Sequence, residues 1–270
     1  MDWFFNLEPW VQALLATMFT WIATAFGAAF VFLFKNVKPS VYSFMLGAAG
    51  GVMIAASFWS LLVPAVEATE GEGFLKALPA AIGLAIGALT LFGCDKLIPH
   101  LHIGSNNAEG KPTVLKRTIL LVLSITLHNI PEGLAVGVAF GAAANGNVAL
   151  ATSALILALG MGLQNIPEGM AVSIPLYNEG MKKSKAFFYG QISGFVEPIF
   201  GIIGALLVYY VSPILPYALA FAAGAMIYVV CEELIPQAKE SETNSNSSHF
   251  AIWGLFMGLI IMTILDVALS

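Results

Sequence analysis

Leu121–Gly141 reads LVLSITLHNIPEGLAVGVAFG, and Ala154–Ile174 reads ALILALGMGLQNIPEGMAVSI. Each puts a proline and a glutamate in the middle of a segment otherwise apolar enough for lipid. The cores, HNIPEG at His128–Gly133 and QNIPEG at Gln164–Gly169, are one motif written twice. Pro131 and Pro167 each remove a helical N–H, freeing the carbonyls of Leu127 and Leu163 and bending the helix. An acid at the centre of a membrane helix costs about 2.5–3.5 kcal/mol. Both choices are poor unless something other than packing requires them.

The composition says what surrounds these segments. Of 270 residues, 59% are hydrophobic and 10% charged, whereas a soluble domain carries about 25% charged residues. The 26 glycines suit closely packed membrane helices. The expected class is an all-α integral membrane protein with the lipid bilayer as its solvent. A net charge of −5 argues against nucleic acid as a partner. The acidic start MDWFFNLEPW lacks the basic region of a cleavable signal, so the first span is expected to be retained. Cys94 and Cys231, far apart in sequence, are expected as free thiols.

A bilayer needs about 20 apolar residues per helix. Eight runs qualify: Pro9–Phe34, Val41–Val66, Phe74–Ile98, Val114–Gly141, Val148–Pro175, Ala186–Val211, Ile214–Pro236 and Phe250–Leu269. The most loop-like connections are residues 99–113, between spans 3 and 4, and 237–249, between spans 7 and 8. Ten of the eleven basic residues fall in or beside connections on one side, and only Lys76 falls on the other. The positive-inside rule makes those loops cytoplasmic and both termini extracytoplasmic.

Interior charges then carry the functional reading. His128 and Glu132 lie near the middle of span 4, Glu168 just past the middle of span 5, and Glu197 at the middle of span 6. Spans 4 to 8 hold no lysine or arginine in their interiors, so ion pairs cannot offset three central glutamates, on the order of 8–10 kcal/mol. Protonation or a bound cation remains. His128 and Glu132 stand at i and i+4 on one helical face, as do Gln164 and Glu168. Asn129 and Asn165 follow one position behind. Two facing helices would converge an imidazole, two carboxylates and amide oxygens at one depth, with Glu197 joining from span 6. That mixed N/O set suits Zn²⁺, Fe²⁺, Mn²⁺ or Cd²⁺. A proton site needs neither the histidine nor the amides in register, and a pair of structural kinks needs no polar neighbours. Broken helices at the midplane are the usual frame of transporter sites.

These residues resemble the ZIP (Zrt/Irt-like) metal transporter family over nearly the whole chain. The likeness rests on HNIPEGLAVG in span 4, QNIPEGMAV in span 5, Glu197–Pro198 in span 6, MIAASFWSLLVP in span 2, GAMIYVVCEELIP in span 7 and the LD near the end of span 8. It implies a bacterial member in the inner (plasma) membrane: a single transmembrane domain over residues 1–270, eight helices arranged 3+2+3, and an inverted repeat relating spans 1–3 to 6–8. GVMIAASFWSLLVPA and GAMIYVVCEELIPQA align with one gap, as a trace of that repeat. The resemblance further implies divalent metal as the cargo, movement into the cytoplasm, often a homodimer, and a two-metal centre. One ion would be held by His128, Glu132, Gln164 and Glu168, with Ser60 nearby. The other would be held by Asn129, Glu132, Asn165, Glu168 and Glu197. Gln164 stands where histidine is frequent in the family and Asn165 where aspartate occurs. The first softens a preference for zinc, and the second removes a charge.

Further positions are assigned to the pathway or left as ordinary structure. Glu67 belongs to an acidic outer loop; Met53 lies two turns before Ser60. Asp95, His100 and His102 sit near the cytoplasmic end of span 3, Glu232 and Glu233 at an inner exit, and Asp266 near the outer end of span 8. Asp266 and His249 carry no assigned role. Two other function classes are weighed. An intramembrane zinc metallohydrolase needs three firm ligands, often two or more histidines; His128 alone is central. A proton- or sodium-coupled solute transporter leaves His128 and the amides without a role.

Overall fold

The computed structural model describes residues 2–34, 37–99, 117–143, 148–178, 180–240 and 249–269, and these are helical apart from short turns. Eight helices are long and apolar enough to cross a membrane: α1 (Pro9–Leu33), α2 (Pro39–Glu67), α3 (Gly73–Leu97), α4 (Val122–Ala142), α5 (Val148–Asn178), α6 (Lys183–Tyr210), α7 (Leu215–Lys239) and α8 (Phe250–Ala268). They match the eight expected spans to within a few residues, except at the start of span 4, where the expected Val114 lies outside the described residues and the helix is described from Arg117. Prolines open α1 and α2, where the missing N–H has no helical partner to lose. Gly71 and Gly73, with φ of 107° and 58°, turn the chain between α2 and α3. Residues 100–116 and 241–248 of the two long connections lie outside the described residues, and α7 remains helical to Lys239, past the expected start of its loop.

Lipid offers no hydrophobic force between helices, so backbone proximity and dispersion must hold them. The principal partners are α1 with α5, α2 with α8, α3 with α7, and α4 with α6. Glycines make each seam. A Cβ on Gly51 would lie 2.0 Å from the Leu255 carbonyl oxygen across the α2–α8 seam, and one on Gly87 would lie 2.1 Å from that of Phe221 across α3–α7. Two groups result: α1, α4, α5 and α6, and α2, α3, α7 and α8. They meet where α2 and α8 touch α5 and where α7 touches α4. A buried apolar cluster that includes Met53, Phe140, Leu157, Met161, Met226 and Met262 fills the space between them. Phe26, Phe74, Leu89, Trp253 and Ile264 face outward, as a lipid-contacting surface requires. Cys94 and Cys231 are free thiols, as expected.

The breaks fall elsewhere than the NIPEG prolines suggest. The α-helix runs without interruption from Arg117 to Ala142 through Pro131, and from Val148 to Asn178 through Pro167 and Pro175. Instead α2 holds a π-bulge at Ser57–Leu62 before Pro64, and α7 one at Val230–Leu234 before Pro236. Each proline leaves a carbonyl one turn earlier without its α-helical donor, and a wider turn accommodates the loss. Helix α6 is divided at Gly194–Phe195 into Lys183–Ser193 and Val196–Tyr210. Pro198 supplies no N–H to the Gly194 carbonyl, which instead accepts the Glu197 N–H at 3.0 Å.

Candidate metal centre

The two NIPEG segments bring their polar residues to one level inside the α1/α4/α5/α6 group. His128, Asn129, Glu132, Gln164, Asn165, Glu168 and Glu197 are all buried, with Asn129 and Asn165 at 0% exposure. A cavity of about 20 Å³, room for one water or small ion, is lined by His128 and Glu132 of α4, Gln164 and Glu168 of α5, and Glu233 and Gln237 of α7. Its apolar walls include Leu46, Ile125 and Ala171. These belong to the starts of α2 and α4 and the end of α5, so the cavity extends from the motifs toward the lysine-rich side of the bundle.

Glu197 anchors the other half of the polar level. It stands in the first turn of the second segment of α6, where a helix N-terminus favours negative charge. The Thr20 hydroxyl donates to its Oε2, and the Thr24 hydroxyl to its Oε1 at 3.4 Å. The Asn165 amide nitrogen donates to both carboxylate oxygens at 2.9 and 3.0 Å, and to the Thr20 carbonyl at 3.1 Å. Gln164 completes a relay, its amide nitrogen reaching Asn165 Oδ1 and, at 3.5 Å, Glu168 Oε2. Buried polar atoms are nearly always paired, yet Glu132 Oε2, Glu168 Oε1 and both side-chain polar atoms of Asn129 have no partner. Among the described residues no three His, Cys, Asp or Glu side chains stand close enough together to hold a metal ion as they are. An ion at this level therefore needs the amide oxygens or a turn of the glutamate side chains.

The remaining expected positions scatter. Ser60, in the α2 bulge, donates to Asp266 Oδ2 of α8, and both are buried; neither lines the cavity. Met53 is packed in the apolar core at 1% exposure. Asp95 is buried at the end of α3, while Glu67 and His249 are exposed. His100 and His102 lie outside the described residues. The adjacent pair Glu232–Glu233 divides: Glu232 is exposed, and Glu233 is buried in the cavity wall.

Sequence reading passed over Thr20, Thr24 and Ser124. Ser124 carried a signal, because it precedes His128 by one turn on the same face. The threonines carried none, since threonine in a membrane helix commonly bonds its own backbone, as Thr17 does to the Ala13 carbonyl. Thr20→Val is expected to lower stability by about 1–3 kcal/mol, because it strips a buried carboxylate oxygen of its hydroxyl donor. Thr20→Ser, which keeps the hydroxyl, should stay close to the wild-type protein. Thermal unfolding of the two variants in detergent decides it.

Fold and site together define a multi-pass membrane protein with a buried, acid- and amide-rich centre between paired helices. Comparison with known proteins narrows this. Residues 105–266, more than half the chain, match the family described as ZIP Zinc transporter. The zinc transporter ZIP11 of Bos taurus is 41% identical over 340 aligned residues, covering 97% of this chain and 98% of that protein. The zinc transporter GufA of Myxococcus xanthus is 35% identical, covering 92% and 96%. The zinc transporter ZupT of Salmonella newport (strain SL254) is 36% identical, covering 95% and 98%. The chain belongs to the ZIP family.

Proposed function

We propose that this protein carries divalent transition-metal ions, Zn²⁺ foremost and Cd²⁺, Fe²⁺ and Mn²⁺ besides, across the membrane into the cytoplasm by alternating access. The observation that carries the proposal is the buried meeting of the two NIPEG motifs, with carboxylate and amide oxygens left unpaired beside His128. Relatives covering almost its whole length are named zinc transporters.

The first metal position comprises His128, Glu132, Gln164 and Glu168 around the cavity. A second comprises Asn129, Glu132, Asn165, Glu168 and Glu197, with the two glutamates bridging. In the arrangement described, Asn165 turns its NH₂ toward Glu197, so occupancy of that second position requires the amide to rotate its oxygen inward. The cavity extends from the motifs toward the lysine-rich side of the bundle and not toward the opposite one. That asymmetry supports a site facing the cytoplasm, with release past Glu233. Selectivity follows from ligand type: one imidazole among oxygens suits borderline ions, and the amides dilute negative charge enough for release.

The chain is read as one 3+2+3 domain over residues 1–270, with cytoplasmic 99–113 and 237–249 loops and both termini outside. Helix pairing supports the inverted repeat. Exchanging α1–α3 with α6–α8 and α4 with α5 turns the α1–α5 seam into α6–α4 and the α2–α8 seam into α7–α3. Both exchanged seams exist, and the bulges of α2 and α7 fall at matching places. A bacterial source fits the alignment with ZupT, which spans 264 residues against 340 for ZIP11. Residence in the plasma membrane and a homodimer complete the reading.

The test is uptake into liposomes holding the purified protein and a trapped metal indicator. Saturable entry of Zn²⁺ and Cd²⁺, absent from a Glu132→Ala/Glu168→Ala double variant, is the expected result. Metal binding without entry of Zn²⁺, Cd²⁺, Fe²⁺ or Mn²⁺ overturns it in favour of a sensor or a membrane metalloenzyme. Uptake of an organic solute driven by a proton or sodium gradient would instead establish the solute-transporter class.

A further inference from the structure

Glu233 meets the site from the other helix group. Its carboxylate is buried at 5% exposure in the cavity wall, within the π-bulge of α7. The Ser124 hydroxyl donates to Oε1 at 2.7 Å, and His128 Nδ1 lies 2.8 Å from Oε2. Both partners sit on α4, one turn apart, so the two carboxylate oxygens grip one face of that helix across the boundary between the groups. The contact has a chemical consequence. A carboxylate oxygen only accepts, so Nδ1 carries the proton, and Nε2 is left to offer its lone pair to an ion. A carboxylate behind an imidazole fixes the ring and raises its basicity toward metal, and losing such a partner commonly costs about 10–100-fold in affinity.

We propose that Glu233 is a positioning residue that ties metal affinity to the closed contact between the helix groups. The inference rests on the metal site proposed around His128. With α4 and α7 in contact, Ser124 fixes Glu233, Glu233 fixes the His128 tautomer, and His128 holds the ion firmly. When α7 withdraws from α4, His128 loses its carboxylate in the same movement that widens the cytoplasmic way out. Affinity falls as the path opens, which is what release from a buried site needs. One contact thereby serves both purposes. Glu233 is buried toward α4 while its neighbour Glu232 is exposed, so the contact rests on one glutamate of the pair.

The test is a double-mutant cycle on Cd²⁺ binding by the purified full chain, measured by competition with a metal-sensitive dye. Glu233→Gln is expected to weaken Cd²⁺ binding about 10–100-fold, and Ser124→Ala to weaken it less in the same direction. In a His128→Ala background Glu233→Gln should change nothing further, because its effect passes through the imidazole. X-ray absorption of the Zn²⁺-loaded protein should show one imidazole in the coordination shell, with the oxygen count equal in wild type and Glu233→Gln. Unchanged affinity in Glu233→Gln, a full additional loss in the His128→Ala background, or a missing oxygen ligand would each overturn the proposal. The last two outcomes would make Glu233 a direct ligand or a general packing residue. A wild-type spectrum without imidazole would instead overturn the metal site itself, whatever Glu233 does.

Discussion

Liposomes carrying Glu168→Ala protein should take up Cd²⁺ no faster than empty liposomes, and Glu132→Ala should do the same. Each substitution removes a carboxylate that faces the cavity and, in the two-ion reading, bridges both positions. The other groups proposed as ligands of the first ion are one imidazole and a neutral amide, so either substitution removes one of the two charged ligands. Loss of a direct ligand exceeds the about 10–100-fold cost of an outer partner, and a fall of at least about 100-fold is expected.

The same substitutions carry a second expectation of opposite sign. A buried acid is costly in a membrane, about 2.5–3.5 kcal/mol at the centre, and one oxygen of each glutamate has no hydrogen-bond partner. Removing the acid should therefore leave folding stability intact or improved, less the cost of the small cavity it vacates. Intact thermal unfolding together with abolished uptake is the signature of a residue kept for function. His100→Ala, in the connection after α3, is expected to keep at least half of the uptake. Normal uptake by a folded Glu168→Ala protein would sink the proposed site.

The reach of the sequence in this chain follows the range of the physics involved. Spans depend on local hydropathy, and all eight were legible. The NIPEG repeat was legible too, because i and i+4 neighbours on one helix need no tertiary knowledge. What joins one helix to another was not. Nothing in FTWIATAF marks Thr20 and Thr24 as partners of Glu197, which lies far along the chain in a different helix. Glu232 and Glu233 read as an equivalent pair, since adjacency hides that successive helical residues point about 100° apart. The proline rule also misled in a specific way. Pro131 and Pro167 stay within continuous helix, whereas Pro64, Pro236 and Pro198 accompany the bulges and the break. A proline removes one hydrogen bond wherever it stands; tertiary packing decides whether the backbone gives way.

The glycines that end the two motifs raise the question of whether NIPEG is wholly a binding motif. Gly169 answers it by position. A Cβ there would lie 2.0 Å from the Thr24 carbonyl oxygen and 2.7 Å from the Ala28 amide nitrogen. Both obstacles are backbone, so no side chain can swing aside, and α1 must move away from α5. Overpacking commonly costs about 1–3 kcal/mol, and with rigid backbone on both sides Gly169→Ala is expected at the top of that range or above. The displacement would also draw Thr20 and Thr24 away from Glu197, so metal uptake should fall along with stability. Gly93→Ala, in α3, is the matched control: its Cβ would meet nothing within 4 Å, and alanine favours a helix over glycine by about 1 kcal/mol. That variant should unfold at or slightly above the wild-type temperature and transport normally. Equal unfolding temperatures for the two variants would show that the α1–α5 seam tolerates separation. The glycine of the motif would then have to be explained by the ion rather than by the neighbouring helix.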